Sequence, residues 1–203
     1  MSAEGLKRQI YLASASPRRK DILAEMGAKF TVITADVDEN CDICDPCELT
    51  ENLARLKGRA VLELLRREGR DAGAIIISAD TVVAVDGEIL GKPKDAEDAR
   101  RMLTLMSGRA HEVVTGVGVT VDGITYTDRS VTKVVVDDIP ASQIEKYIES
   151  GGPFDKAGAY GIQGSFSRWI KGIEGCYFGV VGLPTNCLSN LFFKVVGVYP
   201  DEL

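Results

Sequence analysis

The chain has a single histidine and no apolar run approaching the ~20 residues that a membrane-spanning helix needs. Each scarcity excludes something. With His111 as the sole imidazole, every nucleophile–base triad would have to pass through that one residue. A structural histidine at the start of a strand is the better reading. The missing apolar stretch argues against a membrane protein. The opening MSAEGLKRQIYLAS also lacks the long apolar core of a signal peptide, so a cytoplasmic protein is expected. Positive charge is in deficit: 24 Lys+Arg stand against 30 Asp+Glu, for a net charge of -6. That balance disfavours a protein whose main task is coating nucleic acid, while leaving room for a local basic pocket. No repeat, linker or low-complexity segment divides the chain. Residues 1–203 are read as one domain, large enough to form two lobes around a cleft.

Five cysteines, an odd number, fit a reducing compartment better than a disulfide framework. Cys41, Cys44 and Cys47 have the C-x2-C-x2-C spacing of part of an iron–sulfur run, but a fourth ligand is missing and no histidine is near. A cysteine-rich loop of little consequence to the main activity is the plainer reading, and a metal or redox sensor the sharper one.

What the sequence does have is concentrated in Ile75 to Lys94, IIISADTVVAVDGEILGKPK. An apolar run is interrupted by Ser78-Ala79-Asp80-Thr81 and resumes at Val82, as a strand with an acid in its middle. Asp86-Gly87 is a two-residue turn signal, so Glu88 to Gly91 runs back along the first strand and paired residue numbers sum to 173. That register sets Thr81 opposite Lys92 and Asp80 opposite Pro93. Asp80 and Lys92 then share a site only through a bulge or by lying at the rim of a cleft, and the rim is preferred. The plain alternative for Asp80 is a hydrogen-bonded acid closing a strand.

Three further stretches carry charge in unusual places. Ile10 to Ala13 reads as a strand leading through Ser14-Ala15-Ser16-Pro17-Arg18-Arg19 into a helix, with Ser16 as N-cap and Pro17 as the first helical residue. Two arginines in a first turn oppose the helix dipole. Phosphate held by Arg18, Arg19 and the hydroxyls of Ser14 and Ser16 is one reading, and solvated arginines paired with surface acids the other. A helix from Glu48 to Glu68 has an apolar stripe of Leu49, Leu53, Leu56, Ala60, Val61, Leu64 and Leu65, with Lys57 on or beside it. Lys57 either snorkels to water or reaches a phosphate in a cleft, and Gly58 beside it signals close packing or ligand approach. The acidic run Asp36-Val37-Asp38-Glu39 is a solvated loop, or helps hold a divalent metal together with nucleotide phosphates.

The remaining pattern is a mixed one. A helix is expected from Ala96 to about Met106, N-capped by Asp95, then strands His111–Val121 and Ile124–Val136 around an Asp122-Gly123 turn. Ser142 to Glu145 reads as a capping box, with strand-like stretches at Phe166–Ile173 and Tyr177–Val181 and a last helix from Thr185 to about Phe193. Between them lies PFDKAGAYGIQG, Pro153 to Gly164, glycine-rich, with the charged pair Asp155-Lys156 near its start and Gln163 able to read a base edge. Antiparallel hairpins argue against a pure Rossmann alternation. Gly87-x3-Gly91-Lys92-Pro93 is one residue short of a P-loop and lacks its Ser or Thr.

Taken in order, Ser14 to Arg19, Leu53-Ala54-x-x-Lys57, Ser78 to Thr81, Gly91-Lys92-Pro93 and Asp155 to Gly164 resemble the Maf family of nucleoside triphosphate pyrophosphatases, from about Ile10 to Pro184. The Ala-Asp-Thr and Ala-Tyr-Gly-Ile-Gln-Gly forms resemble the branch acting on dTTP and UTP. The resemblance implies an α/β fold like that of inosine triphosphatase: a mixed twisted sheet with flanking helices, in two lobes around a deep cleft, often as a homodimer. It implies hydrolysis of a nucleoside triphosphate to monophosphate and pyrophosphate with a divalent cation, Mg²⁺ or Mn²⁺. It also implies Asp80 as proton acceptor, Arg18, Thr81 and Gln163 as determinants of base choice, and Glu39, Lys57 and Lys92 as site residues. Gly58 where alanine is usual, Asn52 in place of a frequent arginine and the three-cysteine loop depart from the pattern.

The residues alone lead to the same class of chemistry. Attack on an α phosphorus needs an aimed water, a base, and cations on the departing pyrophosphate. Arg18, Arg19, Lys57 and Lys92 can supply the cations. Glu39 and Asp80 can hold a metal, and Asp80 can serve as base, as ligand or as both. A nucleotide- or nucleic-acid-binding regulator of cell division without catalysis is the rival from another class.

Overall fold

The computed structural model describes residues 8–203. The seven residues before them, part of the opening stretch read for a signal sequence, lie outside the described residues. The protein is a mixed α/β structure built on one twisted seven-stranded sheet. β1 (Gln9–Ala13) lies between β2 (Phe30–Val32) and β3 (Ala74–Val85) and runs parallel to both. Beyond β3 the ladder is antiparallel through β5 (Ala110–Val121), β6 (Ile124–Val136) and β7 (Ile170–Glu174), while β4 (Glu88–Leu90) folds back on β3.

The first hairpin has the expected register: Val85 pairs with Glu88, Ala84 with Ile89 and Val83 with Leu90. β4 ends there, so Lys92 lies beyond the ladder and is never set opposite Thr81 as a strand residue. On the same flank of β3, β1 reaches only as far as Ser78. Ala79 to Val82 therefore have β5 on one side and, among the described residues, no strand on the other. This gap in the sheet is where the polar residues of β3 sit.

Helices cover both faces. α1 (Pro17–Glu25) and α6 (Thr185–Val196) pack over Ile10, Leu12, Ile75, Ile77 and Val117, burying Leu23, Leu191 and Phe192. α2 (Pro46–Arg67) covers the opposite face, where Val61 and Leu65 meet Tyr11 and Ile76. α3 (Ala96–Met106) and α4 (Ala141–Glu149) enclose a further cluster around Val83, Val85, Met102, Leu103, Val134 and Ile144. Leu53, Val61, Leu62 and Leu65 of α2 are all buried. At ~1.5–3 kcal/mol each they stabilise the docked helix by roughly 6–12 kcal/mol.

Four sequence expectations fail locally. The buried face of α2 is Thr50, Leu53, Ala54, Gly58, Val61, Leu62 and Leu65, rotated from the expected stripe, because the helix approaches the sheet through its small residues. Ser142 does not cap α4. Pro140 is the N-cap, without a side-chain hydrogen bond, and Glu145 is drawn instead into a two-armed pair with Arg100 at 2.5 and 2.8 Å. Tyr177–Val181 is the short helix α5, whose N-terminus is capped by the Cys176 sulfur, and the chain from Gly164 to Trp169 is a 3-10 helix that becomes strand only at Ile170.

Candidate active site

The gap in the sheet opens into a cleft of about 1190 Å³. All of the residues singled out above as catalytic or substrate-binding line it. Ser14, Ser16, Arg18 and Arg19 come from the turn into α1, Lys57 from α2, Asp80 and Thr81 from β3, and Lys92 from the loop after β4. Glu39 comes from the loop before α2, and Asp155, Lys156 and Gln163 from the glycine-rich segment. A second cavity of about 300 Å³, between Pro46, Asp86 and His111, contains none of them.

Alternation along β3 sends Asp80 toward α2 and Thr81 toward α1. Asp80 is 8% exposed, and its Oδ1 accepts a hydrogen bond from Lys57 Nζ at 2.6 Å. The same ammonium lies 3.0 Å from Glu39 Oε1. A nearly buried carboxylate is thus paired, as its desolvation requires. Lys57 can reach it because α2 lies unusually close to the sheet. A Cβ on Gly58 would stand 2.7 Å from Thr120 Oγ1, and Ser78 Oγ donates to the Ala54 carbonyl at 2.7 Å, pinning the same turn. Gly58 therefore marks close packing.

Glu39 and Asp80 converge on one cation, which is the donor arrangement a hard divalent ion takes when nucleotide phosphates complete its shell. They fit such a metal shared with substrate. Among the described residues no group of three or more His, Cys, Asp or Glu could hold one unaided. Asp38 of the same acidic run is engaged locally by the backbone and side-chain nitrogens of Asn40.

The two arginines divide. Arg18 reaches across the cleft to Asp155 at 2.9 Å, and Lys156 pairs with the same carboxylate. Burial opposes ionisation of Asp155, but the hydrogen bonds from Lys156 and Arg18 outweigh it and hold the carboxyl below its usual range. Arg19 is spent on the protein itself. Its Nε donates to the Gly182 carbonyl and its Nη1 to the Ala79 carbonyl, both at 2.8 Å, and its Nη2 to Thr81 Oγ1 at 2.9 Å. Ser14 Oγ takes a fourth bond at 3.4 Å. Burial lowers the Arg19 pKa, with Asp80 opposing that shift. Arg19 ties α1 to β3 and to the end of α5, so its fork is committed to these acceptors rather than held out toward a phosphate.

Lys92 is exposed and makes no ion pair among the described residues. Its loop is fixed by the bond from Gly158 N to the Gly91 carbonyl at 2.9 Å. Gly158 has φ 66°, and a Cβ there would come within 2.8 Å of Val83 Cγ2, so only glycine fits. Gln163 is exposed at the cleft wall, its amide uncommitted.

Sequence reasoning missed Thr115, whose hydroxyl meets the Gly179 carbonyl, and the glycines Gly116 and Gly118, which let α2 and the sheet approach. Two glycines alternating inside an otherwise β-branched strand were the available signal. His111 is buried, and its Nε2 shares a 2.7 Å hydrogen bond with the Tyr160 hydroxyl while Nδ1 has no partner among the described residues. Burial lowers its pKa to about 4. Cys41, Cys44 and Cys47 are free thiols, the first two exposed, and Cys41 lies at the cleft's edge.

Residues 9–195 match the family model described as Maf-like protein. A protein of Chromobacterium violaceum named dTTP/UTP pyrophosphatase is 46% identical over 179 residues, covering 88% of this chain and 90% of that one. One of the same name from Vibrio cholerae is 44% identical over 187 residues, covering 92% and 97%. Among solved structures, the Staphylococcus aureus Ham1 protein overlaps 64% of this chain and 73% of its own at 18% identity and a TM-score of 0.47, too loosely to carry an argument. With the family model spanning nearly all the described residues and relatives this similar over most of their length, the chain belongs to the Maf-like protein family.

Proposed function

We propose that the cleft hydrolyses dTTP and UTP to the nucleoside monophosphate and pyrophosphate, a reaction that clears such nucleotides from the cellular pool. The observation that carries this reading is the nearly buried Asp80, held by Lys57 in a cleft that also gathers Lys92 and Arg18. The names of the relatives supply the base. In this reading the protein works in the cytoplasm as a homodimer. Its partner is a nucleotide rather than a nucleic acid, in keeping with a net charge of -6.

The chemistry follows from the positions of the groups. Asp80 Oδ1 is fixed by Lys57, and no group among the described residues engages Oδ2, which is left to orient a water and take its proton. The water oxygen bonds to the α phosphorus, the bond from that phosphorus to the bridging oxygen breaks, and pyrophosphate leaves with the electron pair. Lys92 and Lys57 neutralise the charge that builds on the leaving group. Glu39 and Asp80 would hold Mg²⁺ or Mn²⁺, which when bound supplies further charge neutralisation on the phosphates. Thr81 and Gln163 face the base.

The test is a panel of nucleoside triphosphates with Mg²⁺ or Mn²⁺, scored separately for pyrophosphate and orthophosphate, with Asp80→Asn alongside. Pyrophosphate from UTP and dTTP is expected, with turnover reduced in the variant by about 10²–10⁴-fold and nucleotide binding retained. Near-normal turnover of Asp80→Asn would remove the residue from the chemistry, and orthophosphate as first product would place cleavage at the wrong bond.

A further inference from the structure

The gap in the sheet leaves the main-chain N–H and C=O of one residue, Thr81, without a ladder partner. Asp86-Gly87 and Asp122-Gly123 both have positive φ at both residues, the geometry of two-residue hairpins whose flanking residues exchange main-chain hydrogen bonds. Counting inward from Val121–Ile124, the odd-numbered residues of β5 bond to β6 and the even-numbered ones to β3. Asp80 is therefore hydrogen-bonded to Gly116, whereas Thr81 and Thr115 face each other without main-chain bonds. Counting from Val85–Glu88 gives the same parity. The N–H and C=O of Thr81 thus point away from β5, into the gap, and among the described residues no other main-chain group bonds them. A flat heterocycle lying edge-on in the plane of the sheet is the occupant that such an edge suits.

The Thr81 side chain carries a second, directional signal. Thr115 is fully buried, and its hydroxyl donates its only proton to the Gly179 carbonyl at 2.8 Å. In the 2.9 Å contact between the two threonine hydroxyls Thr115 can therefore only accept, so Thr81 donates. Arg19 Nη2 donates to Thr81 from the other side at 2.9 Å. The protons run one way, from Arg19 to Thr81 to Thr115 to the Gly179 carbonyl. One lone pair of Thr81 Oγ1 remains, and the hydroxyl has no proton left to offer a ligand.

Resting on the reading of dTTP and UTP as substrates, we propose that Thr115 is a specificity-determining positioning residue. By taking the Thr81 proton it makes that hydroxyl an acceptor only, which matches the N3–H of uracil and thymine and opposes the bare N3 of cytosine. The Thr81 N–H and C=O in the gap complete the contact with the base edge.

The experiment compares kcat/KM for UTP and CTP in the wild type, Thr115→Val and Thr115→Ser. Valine keeps the shape and frees the Thr81 proton to turn toward the ligand, so the UTP:CTP ratio is expected to fall by about 10-fold or more, and serine to restore it. A ratio in Thr115→Val within about twofold of wild type, with UTP still hydrolysed, overturns the assignment of Thr115 alone. A wild type that releases no pyrophosphate from any pyrimidine triphosphate overturns the substrate reading and this inference together. 3-Methyluridine triphosphate provides a measurement on the wild type itself, independent of whether the valine variant folds. It lacks the N3–H and is expected to be hydrolysed at least about 10-fold less efficiently than UTP, and equal rates for the two overturn the proposal.

Discussion

Gly116→Ala adds one methyl group at the point where helix and sheet are closest. The new Cβ would lie 2.5 Å from both the carbonyl carbon and the oxygen of Thr50 and 2.7 Å from Glu51 N. Non-bonded heavy atoms settle at ~3.5–4.0 Å, so the overlap is about 1 Å against three main-chain atoms, none of which can rotate aside. α2 must move off β5 by a comparable distance. A gap of ~0.5–1 Å forfeits a quarter to a half of the dispersion attraction across it. Applied to the roughly 6–12 kcal/mol of burial by Leu53, Val61, Leu62 and Leu65, the cost is about 3 kcal/mol. For a chain of this size that lowers Tm by about 6–12 °C in a thermal melt. Turnover is expected to fall as well, because Gly116 is the cross-strand partner of Asp80 and a shifted α2 draws Lys57 from it. Gly172→Ala is the control, since a Cβ there meets nothing within 4 Å. A Gly116→Ala melt within about 2 °C of wild type would refute the close approach as described.

His111 gives a pH signature. Its pKa is about 4 in the fold against an ordinary 6.5, so protonation favours the unfolded chain. Stability is lost as pH falls from 6.5 toward 4, and His111→Phe should lose about 2–3 kcal/mol less than wild type between pH 7 and 4.5 in denaturant titrations. Equal losses would show that the imidazole is not buried neutral. Arg19→Lys cannot reproduce the fork that holds Gly182, Ala79 and Thr81, and is expected to destabilise by about 3 kcal/mol. Arg18→Lys, which alters only a half-exposed pair with Asp155, should change stability by less than about 1 kcal/mol, and similar melts for the two would contradict their division. Gln163→Ala should blunt the preference for UTP and dTTP over CTP and GTP in initial rates, and an unchanged preference would remove Gln163 from base selection.

What could be read from the chain was whatever its local chemistry decides. The Asp86-Gly87 turn forces its hairpin register, Asp95 caps α3 at its own Asp98 N–H, and the alternation of Ile124–Val136 sets β6 from end to end. Four apolar residues and a glycine from Tyr177 to Val181 carry no usable period, and there the choice of helix was made by Cys176 and Gly182 at its two ends. Ser142 and Glu145 have the spacing of a capping box, yet Arg100, 45 residues earlier, offers the acid a better partner. The site divides in the same way. Asp80, Lys57 and Lys92 were visible as charges in apolar or glycine-rich settings. That Arg19 bonds to the chain and Arg18 reaches over the cleft depends on acceptors at Gly182 and Asp155, which adjacency in sequence cannot distinguish.

The Arg19 fork also bears on how the protein comes to be made. Its acceptor at Gly182 is 163 residues away, and the Arg18 contact with Asp155 spans 137. A ribosome adding ~5–20 residues per second takes roughly ten to thirty seconds between the arginine and that carbonyl. For that interval the turn into α1 has no inner wall to close against, and α5 with the Thr115–Gly179 contact does not yet exist. Long-range closures of this kind slow folding and fall late in it. A chain released before Gly182 would carry Asp80 and Lys57 without the carbonyl that holds the Arg19 fork over the cleft.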